Sequence, residues 1–313
     1  MIEIVAKKDY ERLDVFLSEE LDISRTRVKH LIDDKNIRTK KKSAVLKAST
    51  KVLAGQKFFA EIPSSLNIEY LKAEPIDFGV VYEDEYLLVV DKPSGIVVHP
   101  APGNWRGTLV NGLVYRYPEM REMTTWLRPG IVQRLDAGTS GLMVVAKKQK
   151  VSQTLQTMFQ NRKIDKKYIA LIHGCPKRKE GTISGPVDRD PNNFLKMCVI
   201  EGGKPSKTGY KVLWSKNKVS MIVCKLFTGR MHQIRVHMSA LGYPLLGDFM
   251  YGAKDEFARV YLHSWQLEFT HPVTEEKMLF TQKVTPDFVK VIAGIKDGGK
   301  FPKELLRQEE SNS

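Results

Sequence analysis

The chain has 313 residues, 42% of them hydrophobic and 27% charged, with a formal net charge of +14. That is enough apolar chain for one large domain or two with buried cores, and no apolar run approaches the ~20 residues of a membrane span. Cys175, Cys198 and Cys224 form no CxxC pair and are odd in number, and the N-terminal MIEIVAKKDYERLD lacks a signal peptide's apolar centre, so a soluble, cytoplasmic chain with reduced thiols is expected.

The excess of Lys and Arg favours a polyanionic partner, nucleic acid before an anionic membrane, although many basic proteins bind no nucleic acid specifically. The charge is also clustered: residues 35 to 60 hold eight basic side chains and no acidic one, and a second basic zone runs from 147 to 179.

In chain order, Leu13, Phe16, Leu17 and Leu21 recur at helical spacing. LDISRTRVKHLIDDKN predicts a second helix, capped by Ser24, with Val28, Leu31 and Ile32 buried and Arg25, Arg27 and Lys29 on other faces. The basic run and LAGQKFFAEIP predict short strands with a turn at Gly55. Two short helices carrying Arg and Lys before a small basic β-segment fit a reader of the RNA backbone; a small basic domain packed on its neighbour is the plainer alternative. Pro63, Ser64, Ser65 and Pro75 then mark a linker, dividing the chain into units at 1–70 and 71–295, with a polar tail at 296–313.

VVYEDEYLLVVDKPSG predicts strand, acidic turn, strand and a Pro-Gly turn, and the Pro- and Gly-rich VVHPAPGNWRGTLVNGL an irregular loop. Val151, Leu155, Met158 and Phe159 predict a helix. YIALIHG and VSMIVCKLF predict strands, and Met231, Ile234, Met238 and Leu241 a helix stopped by Gly242 and Pro244. Strands come in neighbouring pairs rather than βαβ units, so the fold class is α+β with a mainly antiparallel mixed sheet after a small N-terminal module.

Several chemistries lack their motif. His232 and His237 lie five apart, roughly 140° around a helix, too far to share one metal ion. No P-loop, GxGxxG or GxSxG is present. What remains is IVQRLDAGTSGLMVVAKK, in which Arg134 and Asp136 flank one leucine before a small-residue loop and an apolar run. Asp136 there reads equally as a turn residue accepting backbone N–H groups, paired with Arg134, or as a carboxylate held out for chemistry beside residues small enough to let a ligand approach.

RLDAGTSGLMVVAK resembles the central HRLD-x-x-TSGL motif of the RluA/RluD-type pseudouridine synthases. VVDKPSGIVVHPAPGN, KIDKKYIALIHG and LFTGRMHQIRVHMSALGYPLLGD resemble that family's other motifs, in family order, the first especially its large-subunit ribosomal RNA branch. ERLDVFLSEELDISRTRVKHLIDD resembles the S4-like RNA-binding domain many members carry in front. Four ordered motifs and an appended domain are a far more specific signal than any one motif. Gln133 stands where the family commonly has His, and IRTKKKSA replaces the usual Val-Asn-Gly type turn of the N-terminal domain.

The resemblance implies isomerisation of uridine to pseudouridine in RNA, large-subunit ribosomal RNA before transfer RNA, by a monomer needing no metal, nucleotide or redox cofactor. It implies Asp136 as the catalytic aspartate, Tyr168 stacked near the base and able to take the C5 proton, and Arg235 paired with Asp136 to orient it. Arg134 would lie near the RNA, filling space left by the flipped base. Arg25, Arg27, Lys40, Lys41 and Lys42 would contact phosphates without reading sequence. The rival readings are a non-catalytic RNA-binding or ribosome-assembly protein, which should have lost one of Asp136, Tyr168 and Arg235, and a methyltransferase, which should carry a glycine-rich cofactor loop.

Overall fold

The computed structural model describes residues 2–21, 25–39, 45–61, 71–101, 103–123 and 128–295. The expected Ser24 cap, the linker around Pro63, Lys40, Lys41, Lys42 and the tail from 296 lie outside them.

The chain opens with β1 (Ile2–Val5), α1 (Leu13–Leu21), α2 (Arg25–Asp33), β2 (Ile37–Thr39) and β3 (Lys57–Ala60). The strands form an antiparallel sheet in the order β1-β3-β2, in which β1 is the one the sequence pattern did not announce. The helical spacing has the expected result: Leu13, Phe16, Leu17, Val28, Leu31 and Ile32 are buried in one core with Phe58 and Ala60.

β4 (Gly79–Glu83) and β5 (Leu87–Lys92) pair around the acidic turn. Asp84 accepts the backbone N–H groups of Tyr86 and Leu87 at 2.7 and 2.8 Å there, an Asx-type closure. The irregular loop expected over VVHPAPGNWRGTLVNGL ends at Thr108, because Leu109–Arg116 is a helix, α3. Its two apparent breakers serve it. Asn111 closes a capping box with Thr108, its Oδ1 accepting the Thr108 N–H at 3.0 Å. Gly112 faces Ile76 so closely that a Cβ would lie 2.8 Å from the isoleucine's own.

β6 (Ser140–Ala146) is buried at every residue. It is followed by α4 (Gln149–Gln160), β7 (Asp165–His173), β8 (Glu180–Ser184), the ribbon of β9 (Val187–Asp190) and β10 (Asn193–Val199), then β11 (Lys207–Lys216) and β12 (Val219–Leu226). α5 (Gln233–Ala240), β13 (Leu262–Thr270), β14 (Lys277–Thr281) and α6 (Pro286–Gly294) complete the chain. α5 stops where expected, with Gly242 at φ +86°, but starts after His232, so Met231 and His232 precede it.

The large sheet runs β4-β5-β6-β13-β7-β12-β11-β8, with β14 beside β13. Every pairing is antiparallel except β6 with β13, where Ser140 and Gly141 meet His263 and Ser264. This is the expected α+β class with a mainly antiparallel mixed sheet. Ser264 also pairs with Tyr168 of β7, so the start of β6 and Tyr168 lie on either side of one strand. Gly141 permits that approach: its φ is +108°, and a Cβ would lie 2.3 Å from the Ser264 carbonyl oxygen.

Candidate active site

A cavity of about 520 Å³ opens over this end of the sheet, within the usual range for ligand sites. Gln133, Arg134, Asp136, Tyr168, His232 and Arg235 line it, with Arg128, Arg162, Lys166 and Arg230 adding positive charge.

Asp136 is held from below. Its main-chain carbonyl accepts the Thr139 N–H at 3.0 Å, so the turn is closed without the carboxylate. The fully buried Lys92 ammonium donates to the carbonyls of Pro93, Ile96 and Ala137 at 2.8, 2.8 and 3.2 Å. Burial pushes that lysine down to about 7, opposed by the pull of Asp136. The Gly95 N–H and the Ser94 hydroxyl donate to the next two carbonyls, of Ala137 and Gly138, at 2.8 and 2.9 Å. The KPSG turn of the first motif thus grips the Asp136 loop.

The carboxylate points to Arg235, whose Nη1 donates to Asp136 Oδ2 at 3.0 Å. The rest of that guanidinium is fixed by a two-pronged pair with Asp248, Nε to Oδ2 at 2.7 Å and Nη2 to Oδ1 at 2.9 Å. Asp248 is fully buried and Arg235 nearly so. Burial pulls the guanidinium down, but Asp248 and Asp136 more than offset this and hold it above its ordinary value. Arg134 makes no ion pair among the described residues; it stands exposed on the cavity wall, and the pairing with Asp136 that its sequence position suggests is made by Arg235 instead.

Tyr168 is buried on β7 and lines the cavity. Burial raises its phenol well above the ordinary range, the neighbouring Ser264 opposes the rise and Asp136 adds to it; the Ser264 hydroxyl itself donates to the Leu142 carbonyl at 3.0 Å. Two residues before it, burial pushes the Lys166 ammonium down to about 8, and its Nζ sits 4.9 Å from the centre of the Phe159 ring. Gln133 faces the cavity with its amide nitrogen buried and unbonded among the described residues. His232 and His237 face different surroundings: His232 the Asp136 carboxylate at 3.7 Å, His237 the Thr208 hydroxyl and the Gly185 carbonyl at 2.8 and 3.0 Å.

The structure therefore brings Asp136, Arg235, Tyr168 and Arg134 to one cavity; Lys40, Lys41 and Lys42 fall outside the described residues. Arg25 lies on α2, donating to Asp14 Oδ2 through Nε and Nη2 at 3.1 and 2.9 Å with its guanidinium half-exposed. Arg27 is in the same helix, its side chain outside the description. Sequence reasoning gave no role to Lys92, Asp248 or the cavity lysine Lys166, although each lies inside a stretch that resembles a family motif.

A single carboxylate, oriented by a buried arginine at the floor of a cleft walled with arginine and lysine, defines an enzyme site built to act on a polyanion. The sequence profile described as RNA pseudouridylate synthase matches residues 86–240, which span the aspartate loop, Tyr168 and Arg235. The chain is 38% identical over 303 residues to an uncharacterised RNA pseudouridine synthase, YlyB, of Bacillus subtilis, covering 95% of this chain and 99% of that one. It is 36% identical over 297 residues to the ribosomal large subunit pseudouridine synthase D of Nitrosomonas europaea, covering 91% and 85%. The structure of human RNA pseudouridylate synthase domain containing 1 superposes with a TM-score of 0.54 at 25% identity, covering 75% of this chain and 97% of that one. The chain belongs to the RNA pseudouridylate synthase family, in its RluA/RluD branch, and its reaction is the isomerisation of uridine in RNA.

Proposed function

We propose that the protein isomerises uridines of large-subunit ribosomal RNA to pseudouridine, with Asp136 as the nucleophile. The observation that carries this reading is the half-occupied carboxylate: Arg235 takes Asp136 Oδ2, while Oδ1 has no hydrogen-bond partner among the described residues and the side chain keeps a quarter of its surface open to the cavity. Attack at the sugar or at the base lets the N1–C1′ bond break; the base turns, C5 bonds to C1′, C5 loses its hydrogen and N1 gains a proton. A uridine flipped out of its stack supplies the access this needs.

Tyr168 gives a stacking surface. Burial holds it as a neutral phenol, so it would accept the C5 proton only while releasing its own to water in the open cavity. Arg235 orients Asp136. Arg134, with Arg128, Arg162, Lys166 and Arg230 on the same walls, would hold phosphates around the extruded nucleotide and fill the space it leaves. Residues 1–70 act as an S4-like RNA-binding module, through Arg25, Arg27, Lys40, Lys41 and Lys42, ahead of a catalytic domain at 71–295 and a tail at 296–313. The protein works as a cytoplasmic monomer; among the described residues no helix is long and apolar enough to cross a membrane. Ribosomal RNA is favoured because curated relatives 36 to 38% identical are named for the large subunit.

The test is tritium release from C5-labelled uridine in large-subunit ribosomal RNA transcripts and, separately, in transfer RNA, with the intact protein and with Asp136→Ala. Release from the ribosomal transcripts by the intact protein alone is expected. Release from transfer RNA only would reassign the substrate, and equal release by Asp136→Ala would remove the nucleophile.

A further inference from the structure

His232 is a residue for which the chemistry above has no use, yet its conformation is unusual. It occupies the N-cap of α5 in the left-handed region, φ +55° and ψ +19°, with no side-chain cap bond. A non-glycine residue there costs about 1–2 kcal/mol, and capping does not explain it. What the conformation does achieve is the placement of the ring. Nδ1 lies 2.8 Å from the Tyr251 hydroxyl oxygen and Nε2 lies 3.7 Å from Asp136 Oδ2.

The hydrogen bonds around Tyr251 decide where the imidazole proton sits. The Met197 backbone N–H donates to the Tyr251 oxygen at 2.8 Å. Among the described residues His232 Nδ1 is the one acceptor within reach of the Tyr251 hydroxyl, so the proton Tyr251 owns is assigned to it. Burial disfavours a second proton on the ring, outweighing Asp136, which pulls the other way. The neutral ring's N–H is therefore on Nε2, the nitrogen facing Asp136. Tyr251 is itself held from two sides: its ring meets His232 edge-on at 84° with centroids 5.6 Å apart, and the Arg235 guanidinium carbon lies 5.0 Å from its centre.

We infer that His232 is a second positioning residue for Asp136, its tautomer fixed by Tyr251, and that with Arg235 it reserves Oδ2 for the protein and leaves Oδ1 as the reacting oxygen. The inference rests on the reading of Asp136 as the nucleophile. At 3.7 Å the Nε2–H is outside hydrogen-bond range; a small shift of the ionised carboxylate, before attack, closes it on Oδ2 and leaves Oδ1 turned to the incoming carbon. Because Met197 belongs to β10, the β9–β10 ribbon is a structural partner of this lock.

The experiment is single-turnover tritium release, with the transcript on which the intact protein is active, at saturating RNA, beside the RNA dissociation constant. His232→Gly keeps the left-handed backbone accessible while deleting the ring, so a lower rate cannot come from added backbone strain. Expected is a rate about 10- to 100-fold lower, the scale of a misplaced reacting group, with RNA affinity unchanged. Tyr251→Phe retains the ring against Arg235 and is expected to lose a smaller factor in the same direction. The double variant is expected to be no slower than His232→Gly, because Tyr251 acts through His232. Full rate in His232→Gly with Asp136→Ala inactive would overturn this inference alone. Full rate in Tyr251→Phe, or losses that multiply in the double variant, would overturn the tautomer lock. Activity in Asp136→Ala would instead remove the nucleophile on which both readings stand.

Discussion

Asp14 and Asp136 each meet arginine, one in the N-terminal unit and one at the cavity, and they are used differently. Asp14 is buried and saturated: Arg12 reaches both its oxygens at 2.9 and 3.1 Å, and Arg25 adds two more bonds to Oδ2. Arg12 foremost, then Arg25, holds its carboxyl down to about 2 against the opposing pull of burial. Asp136 receives one nitrogen on one oxygen and stays partly open. The other half of its arginine is consumed by Asp248, which resembles Asp14 in being buried and fully bonded. Asp14 and Asp248 are thus fully bonded, whereas Asp136 keeps one oxygen open to the cavity, as the proposed nucleophile requires.

Breaking the pair at its centre should give the largest effect. Arg235→Ala strands the buried Asp248 as well as freeing Asp136. A loss of about 3–5 kcal/mol of stability is expected from the orphaned charge, together with a rate at least ~100-fold lower. Denaturant unfolding and tritium release measure the two. Arg235→Lys keeps the charge but not the fork, and should recover part of the stability with little of the rate.

The N-terminal unit should respond in binding and not in chemistry. Replacing Lys40, Lys41 and Lys42 by alanine is expected to weaken RNA binding and to lower the slope of log Kd against log salt by about 2–3. The rate at saturating RNA should stay unchanged; a lower rate there would tie the N-terminal unit to the reaction itself.

A smaller effect should follow from Lys166. Burial sets its ammonium near 8, so it is charged below that pH and neutral above it. As pH rises from 7 to 9 the KM for RNA should climb, by up to about tenfold per unit at most. Lys166→Arg should flatten the climb, because the guanidinium does not titrate there. A KM that climbs equally in both proteins would assign the titration to another group.

Asp14 gives the smallest change. Its folded-state pKa is depressed, so the pair stabilises the N-terminal unit above the unfolded carboxyl's pKa, near 4, and that stability is lost as pH falls towards about 2. Asp14→Asn should be less stable at neutral pH and should lose less on acidification over that window, measured by unfolding at pH 7, 4 and 2.

Local features were legible in the sequence because local chemistry makes them. The buried stripes of α1 and α2, the acidic turn at Asp84 and the stop of α5 at Gly242 follow from spacing and turn residues. α3 was misread because Asn111 and Gly112 look like breakers, whereas one caps the helix and the other lets Ile76 approach. Motif resemblance pointed to Asp136 and Arg235 together, but no spacing rule joins residues 99 positions apart. Their meeting is made by the tertiary fold, which sets α5, packed beside β10 and β11, over the loop that leads into β6. Lys92 and Asp248 lie inside motif stretches, but a lysine and an aspartate read there as solvent-facing charges; only the fold shows both buried.

The most direct measurement compares Asp136→Asn with Asp14→Asn in tritium release and in unfolding. Both changes keep the side chain's shape and remove its charge. Asp136→Asn should release tritium at least ~10⁴-fold more slowly, the order found when a nucleophile is removed, with an unfolding midpoint close to that of the intact protein. Asp14→Asn should lose stability and keep the rate at saturating RNA. An Asp136→Asn protein that keeps its rate, or that unfolds as readily as Asp14→Asn, would contradict the assignment of the open carboxylate to the reaction.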